Sequence, residues 1–132
     1  MFICFCLHYA DIPTAYFPHD ANCQEWKEKL QYIGVYENRT YVPETGDLVF
    51  FSTDRSRIPG HVGIVYKVTD TTICTIEGNT ENHVTYSYYS LGYSKIVGYA
   101  NMRTVMKHAG VLTENENSAV DSEFRRGNVQ IR

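Results

Sequence analysis

Two features are missing from the 132-residue sequence: a run of lysine or arginine, and an apolar stretch long enough to cross a bilayer. Since the formal net charge at pH 7 is −3, we do not expect a nucleic-acid partner. The apolar opening at residues 1–7 lacks the basic residues that begin a signal peptide, and His8 and Asp11 soon interrupt it. We therefore expect no membrane span, and we recognise no export signal in this chain.

Cysteine is also scarce, with four residues at positions 4, 6, 23 and 74. Cys4 and Cys6 are too close together for a usual zinc knuckle, and no second pair has metal-binding spacing. No disulfide pattern is convincing, although a bond between Cys23 and an N-terminal cysteine stays open. A cysteine that remains free as a nucleophile fits this composition better, and we expect neither a metal nor another cofactor.

The length favours a single domain with one modest core. Asn22 is suited to cap a helix that ends near Gly34, and the continuous apolar run at residues 48–51 is typical of a central strand. The β pattern later ends, and the rest of the chain is polar and poor in large apolar residues. We therefore place one domain at residues 1–101 and a polar tail or linker stub at residues 102–132, with a short helix allowed where the tail begins.

Residues 60–79 contain two strand-like segments joined by a short polar turn. Side chains alternate between the faces of a strand, so His61 shares a face with Gly63, and Glu77 shares a face with Asn79. Antiparallel pairing can bring this carboxylate and this amide beside the imidazole. A lone histidine at a strand end is usually structural, but a base with a group that orients it forms two of the three parts of a nucleophilic triad.

Three blocks follow one another along the chain: Gly46-Asp47 before an apolar strand, then His61-Val62-Gly63-Ile64-Val65, then Glu77-Gly78-Asn79. In this order they resemble the CHAP domain (cysteine, histidine-dependent amidohydrolase/peptidase), a papain-like family of bacterial and phage peptidoglycan hydrolases. The resemblance extends over residues 4–101. It implies an α+β, papain-like fold with N-terminal helices packed on a twisted antiparallel sheet of about five strands.

The resemblance also assigns roles to the residues of this hairpin. His61 would be the base that shares the thiol proton and then protonates the leaving amine. Glu77 or Asn79 would hydrogen-bond the distal ring nitrogen of His61, and spacing does not choose between them. Asp47 is better interpreted as a turn carboxylate that accepts hydrogen bonds from nearby backbone N–H groups than as a catalytic group.

The nucleophile is the least defined part of the pattern. The family places its cysteine at the start of a helix, after a tryptophan that neither of two registers recovers here. The resemblance gives Cys4 as the first candidate and Cys6 as the second, with a lost nucleophile as the third. Both cysteines also suit a structural role as small buried side chains. A truncated or frame-shifted N-terminus would explain the departure from the pattern.

The expected function is therefore that of a bacteriolytic, cysteine-dependent peptidoglycan hydrolase, an amidase or endopeptidase that cleaves an amide in the bacterial cell wall through an acyl-enzyme. Its partner would be the peptide stem or the cross-bridge of peptidoglycan. We expect a monomer that acts outside the cell or at the wall, released by a phage-type route or as part of a larger exported chain. The alternative is a catalytically inactive CHAP-like module that binds cell-wall fragments or a protein partner. Which amide bond is cut stays open.

Overall fold

The fold is given by a computed structural model, which describes residues 2–12, 17, 22–54, 56–78 and 83–110, with the backbone alone at Cys4, Phe5 and His8. The elements in chain order are α1 (Phe2–Tyr9), α2 (Cys23–Tyr32), β1 (Tyr36–Asn38), β2 (Leu48–Ser52), β3 (Pro59–Val68), β4 (Thr72–Gly78), β5 (Val84–Ser90), β6 (Ile96–Ala100) and α3 (Met102–His108).

The described part of the chain is α+β, and its strands form a single six-stranded antiparallel sheet in the order β1-β6-β2-β3-β4-β5. The sequence predicted about five strands, so this number is corrected. The short strand β1 has only 3 residues, which is too few for an alternating pattern to show in the sequence.

Helix α2 begins and ends as the sequence predicted. The side chain of Asn22 accepts a hydrogen bond from the Glu25 backbone N–H at 2.9 Å. At the other end Gly34 has a positive φ of 80°, and the Val35 N–H donates to the Leu30 carbonyl at 3.0 Å. This is the Schellman arrangement, in which glycine relieves the strain of the left-handed conformation.

Strand β2 is buried on both faces of the sheet, which explains its uninterrupted apolar sequence. On the face that we call the helix side, Leu48 and Phe50 pack with the buried residues of the helices. On the opposite face, which we call the far side, Val49 and Phe51 pack with apolar and aromatic side chains of the neighbouring strands. The buried helix residues on the helix side are Ile3, Leu7, Trp26, Leu30, Met102 and Val105.

Asp47 is only 3% exposed and joins the turn before β2 to helix α3. Its Oδ2 accepts hydrogen bonds from the Tyr41 hydroxyl and the Glu44 backbone N–H, both at 2.8 Å, while Oδ1 accepts from the Met102 N–H at 3.0 Å. The interpretation of Asp47 as a turn carboxylate is thus confirmed. Helix α3 follows the domain boundary predicted at residue 101, and its Met102 packs into the helix-side core.

We expect Asp47 to make the stability of the fold depend on pH. Burial raises the pKa of Asp47 from its ordinary 3.8 to about 6, although its hydrogen bonds favour the charged form. Because the folded-state pKa is the higher one, the stability contributed by protonated Asp47 is full below about pH 4 and is lost as the pH rises through the folded-state value. Relative to Asp47→Asn, the unfolding free energy of the wild type should fall by about 3 kcal/mol over this interval. Denaturant titrations across the range measure it, and a pH-independent difference between the two proteins would contradict it.

Candidate active site

Strands β3 and β4 pair antiparallel and place His61 beside Glu77. Ile64 in β3 lies opposite Ile76 in β4. Close to this pair of residues, the Nε2 atom of His61 in β3 lies 2.5 Å from Oε1 of Glu77 in β4. The side chain of Glu77 is 8% exposed and that of His61 is 35% exposed. The pair thus joins a partly accessible imidazole to a buried carboxylate. Asn79, the other predicted partner of the imidazole, lies outside the described residues.

Gly63 provides the space that the carboxylate side chain occupies. A Cβ atom added to Gly63 would lie 2.8 Å from Cγ of Glu77, which is closer than carbon atoms approach without displacement. The close approach also establishes that Gly63 and Glu77 share the same face of the sheet, on the far side. A larger residue in β3 would therefore compete directly with Glu77 for its position beside His61.

Glu77 is held in its charged form by its hydrogen-bond donors. Its Oε2 accepts from the Thr75 hydroxyl at 2.5 Å and from the Tyr89 hydroxyl at 2.8 Å. Burial by itself would raise the pKa of Glu77, but the hydrogen bonds from His61 and the two hydroxyls outweigh it and leave that pKa below its ordinary value. Glu77 is therefore ionised near neutral pH.

The contact with Glu77 determines which ring nitrogen of His61 can exchange a proton. Because an ionised carboxylate only accepts hydrogen bonds, Nε2 is the donor in this contact. In the neutral imidazole Nδ1 then carries the free lone pair, and it is the atom that can take a proton from a thiol or from water. The ring of Phe51 stacks on the imidazole with centroids 5.9 Å apart and planes at 30°, which restrains its rotation.

Helix α1 begins at the end of the sheet that carries this pair. A Cβ added to Gly78 would lie 2.6 Å from Cβ of Phe2, so the first residue of α1 contacts the last residue of β4. The body of α1 packs on the helix side through Ile3, whereas Glu77 and His61 point to the far side because neighbouring strand residues alternate faces. The first turn of α1 therefore lies at the end of the sheet that carries His61 and Glu77.

The cysteines differ in their relation to this sheet end. Cys4 lies in the first turn of α1, and its side chain is outside the described residues. Cys6 follows in the second turn, where burial raises the pKa of its thiol and so disfavours the thiolate. Cys74 is buried in β4 at an odd spacing from Glu77, so it points to the helix side. Its position therefore separates it from the imidazole.

Thr75 and Tyr89 are the members of the site that sequence reasoning missed. Both donate to Oε2 of Glu77. The alternation along β5 separates Tyr89 from its exposed neighbours Tyr86 and Tyr88, but its contact with Glu77 depends on the register between β4 and β5, in which Tyr89 lies opposite Ile73. Sequence alternation gives the face of a side chain and leaves this register open.

Two further kinds of feature are absent from the part of the chain that the structure describes. No group of three or more histidine, cysteine, aspartate or glutamate side chains there is arranged to hold a metal ion. The helices of the same residues include none with the length and apolar character needed to cross a membrane.

The chain matches one protein family over more than half of its length. The model of the CHAP domain matches residues 1–79, a stretch that contains His61 and Glu77. The chain therefore belongs to the CHAP domain family, whose members are in general cysteine/histidine amidohydrolases or peptidases of the peptidoglycan-hydrolase type. The family resemblance seen in the sequence is thus confirmed.

The similarity to individual proteins is weaker than the match to the family. No curated protein sequence matches the chain significantly. A solved structure, "The crystal structure of Ly7917", is similar to it with 24% sequence identity and a TM-score of 0.47, covering 62% of this chain and 38% of that one. The chain thus spans well under half the length of that protein.

Proposed function

We propose that this protein is a cysteine-dependent peptidoglycan hydrolase with a papain-like arrangement of nucleophile and base. The observation that carries the proposal is the contact between His61 and Glu77 at 2.5 Å, in a chain that belongs to the CHAP domain family. An imidazole oriented at Nε2 by a buried carboxylate, with Nδ1 left for proton exchange, is the base that a thiol nucleophile requires. The substrate would be an amide in the peptide stem or cross-bridge, and the protein would meet it outside the cell or at the wall.

The proposed reaction passes through an acyl-enzyme. The thiol proton passes to Nδ1 of His61, and the sulfur forms a bond to the amide carbonyl carbon. When the tetrahedral intermediate collapses, the carbon–nitrogen bond breaks and the amine leaves with the proton from Nδ1. Water then gives a proton to Nδ1 and attacks the acyl-enzyme, which releases the carboxylic acid and the thiol. Glu77 stabilises the imidazolium at each stage without taking its proton.

Cys4 is the proposed nucleophile. Its support is the position of the first turn of α1 at the sheet end that holds His61, through the contact of Phe2 with Gly78. Free backbone N–H groups at a helix N-terminus stabilise a thiolate and also supply a natural donor to the oxyanion. Cys6 is the second candidate, and the raised pKa of its half-buried thiol counts against it.

One observation favours the alternative, a catalytically inactive module that binds wall fragments or a protein partner. The body of α1 packs on the helix side of the sheet, through Ile3 and Leu7, while His61 points to the far side. A binding module needs no approach of sulfur to imidazole, whereas an enzyme does. The fold is the same for both functions. They are therefore distinguished by whether a thiol reacts with the help of His61 at this end of the sheet.

Digestion of purified cell walls by the purified protein tests the proposal. We expect soluble fragments to appear together with new primary amines, and mass spectrometry of the fragments identifies the amide that is cut. New amines on the first alanine of the stem indicate an amidase, and other new termini indicate an endopeptidase. Tight binding to walls without any new amine would contradict the hydrolase and support the binding module.

We expect Gly63→Ala to impair hydrolysis by displacing Glu77. The added Cβ would lie 2.8 Å from Cγ of Glu77, an atom near the backbone end of a side chain whose carboxylate is fixed by three donors. Since a displacement of about 1 Å in a catalytic group can cost roughly 100-fold in rate, we expect a loss of about 10- to 100-fold. Gly92→Ala is the matched control, because the nearest atom to its added Cβ is Ser90 Oγ at 3.8 Å. Equal wall-digestion rates for the two folded variants would show that the position of Glu77 does not matter.

A further inference from the structure

We propose that Tyr89 and Thr75 are positioning residues that hold the carboxylate of Glu77 against His61 and so fix the imidazole in the tautomer that a thiol needs. The inference rests on the proposed function, since the tautomer matters to catalysis only if the imidazole is the base. Neither residue contacts the reacting atoms in this role. Both act through Glu77.

The two oxygens of the Glu77 carboxylate accept hydrogen bonds from different partners. Oε2 accepts from the Thr75 hydroxyl at 2.5 Å and from the Tyr89 hydroxyl at 2.8 Å, whereas Oε1 faces Nε2 of His61 at 2.5 Å. A carboxylate has about four lone-pair positions, so two hydroxyls saturate Oε2 and leave Oε1 to the imidazole. Three donors on two oxygens also fix the plane of a side chain that would otherwise rotate freely.

The ring of Tyr89 reaches the same imidazole by a second route. Its centroid lies 4.8 Å from that of Phe51, and Phe51 in turn stacks on His61 at 5.9 Å. His61, Glu77, Tyr89 and Phe51 therefore form a closed ring of contacts, with Tyr89 opposite the imidazole. Tyr93 stacks on the outer side of Tyr89 at 5.3 Å and 20°, which holds the phenol in place.

The hydroxyl donors matter because Glu77 is buried. Without them His61 alone would oppose the effect of burial, which raises the pKa of Glu77. A protonated carboxyl group would donate its O–H to Nε2 and move the imidazole proton to Nδ1. That tautomer presents no lone pair where the thiol proton must be taken. The pKa of Tyr89 is itself raised to about 12, by burial first and then by its hydrogen bond to Glu77, so the phenol remains a donor throughout the neutral range.

Tyr89→Phe tests the inference, because it removes the hydroxyl and keeps the ring against Phe51. Tyr86→Phe is the matched control: Tyr86 lies on the same strand, on the opposite face, and is 63% exposed. Carbon-13 NMR follows the ionisation of the Glu77 carboxyl group, and nitrogen-15 shifts of the His61 ring report its tautomer. We expect Tyr89→Phe to raise the pKa of Glu77 and to reduce the Nε2–H tautomer, and wall hydrolysis should fall about tenfold or more at unchanged KM.

The spectroscopic measurements decide the inference separately from the proposed function. If the wild type does not hydrolyse peptidoglycan, the proposed function fails, while the Glu77 titration and the His61 tautomer still report whether the hydroxyls position the pair. Should Tyr89→Phe fail to fold, Thr75→Val removes the other donor to the same oxygen with little change in shape, and the same shifts are expected. Unchanged Glu77 and His61 signals in a folded variant, or equal changes in Tyr86→Phe, would overturn the inference.

Discussion

Replacing His61 by alanine is expected to lower peptidoglycan hydrolysis by about 1,000-fold or more. The substitution removes the proposed base, which would take the thiol proton and protonate the leaving amine. Among the described residues no other side chain donates to Oε1 of Glu77. Fold stability should change much less, because Thr75 and Tyr89 continue to donate to the carboxylate. The loss should therefore appear in kcat, the rate of hydrolysis when the active site is saturated with substrate.

The control for this substitution is His108→Ala, since His108 is an exposed residue at the end of α3. Clearing of cell-wall substrate in a gel, supported by the rate at which amines are released, compares the two variants with the wild type. We expect His108→Ala to clear the substrate as the wild type does. Clearing that persists in folded His61→Ala at the same rate would remove His61 as the base.

Replacing Cys4 by serine should have an effect of the same size. Serine keeps the shape of the side chain, but its hydroxyl is far less acidic than a thiol, and an imidazole oriented for a thiol does not activate it well. We expect hydrolysis to fall by about 1,000-fold or more, with no loss of the fold. Cys4 is the proposed nucleophile because it lies in the first turn of α1. In this turn Phe2 contacts Gly78, the last residue of β4.

Cys6→Ala is the matched control for Cys4→Ser. Cys6 is half-buried in the same helix, and burial raises the pKa of its thiol, so we expect its replacement to cost some stability and little activity. Both rates are measured on the same wall preparation after thermal unfolding has shown that the variants are folded. Loss of activity in Cys6→Ala with activity retained in Cys4→Ser would assign the nucleophile to Cys6.

The hairpin at the centre of the site could be predicted from the sequence. Alternation placed His61 and Glu77 on faces that antiparallel pairing can bring together, and the structure does bring these two side chains together. These features were accessible because they depend on two adjacent strands joined by a short turn, where the register is set locally.

Features that depend on contacts between segments far apart in the sequence could not be predicted. The hydroxyl of Tyr89 reaches Glu77 only through the register of β5 on β4, and the space for Glu77 depends on Gly63 in the facing strand. The short strand β1 gave no periodic signal because it has 3 residues. The placement of the body of α1 on the helix side follows from packing of Ile3 and Leu7 into a core that also includes the other helices. Such packing is a property of the whole fold.

Asp47 and Glu77 illustrate how two buried carboxylates of one small protein acquire different roles. Burial raises the pKa of Asp47 to about 6, and it outweighs the hydrogen bonds that the carboxylate accepts, while the nearby charge of Glu44 adds to the increase. Glu77 is also buried, but its pKa is lowered because an imidazole and two hydroxyls donate to it. The first carboxylate joins elements of the fold, while the second remains charged beside the imidazole proposed as the base.

Reaction of the protein with iodoacetamide near neutral pH, followed by mass mapping of all four cysteines, measures most directly whether a thiol is activated by His61. In the wild type we expect Cys4 to be alkylated well before Cys6, Cys23 and Cys74, and we expect this preference to disappear in His61→Ala. Equal labelling of the cysteines in the folded wild type, or a preference for Cys4 that survives the loss of the imidazole, would contradict the proposed pairing of sulfur and histidine.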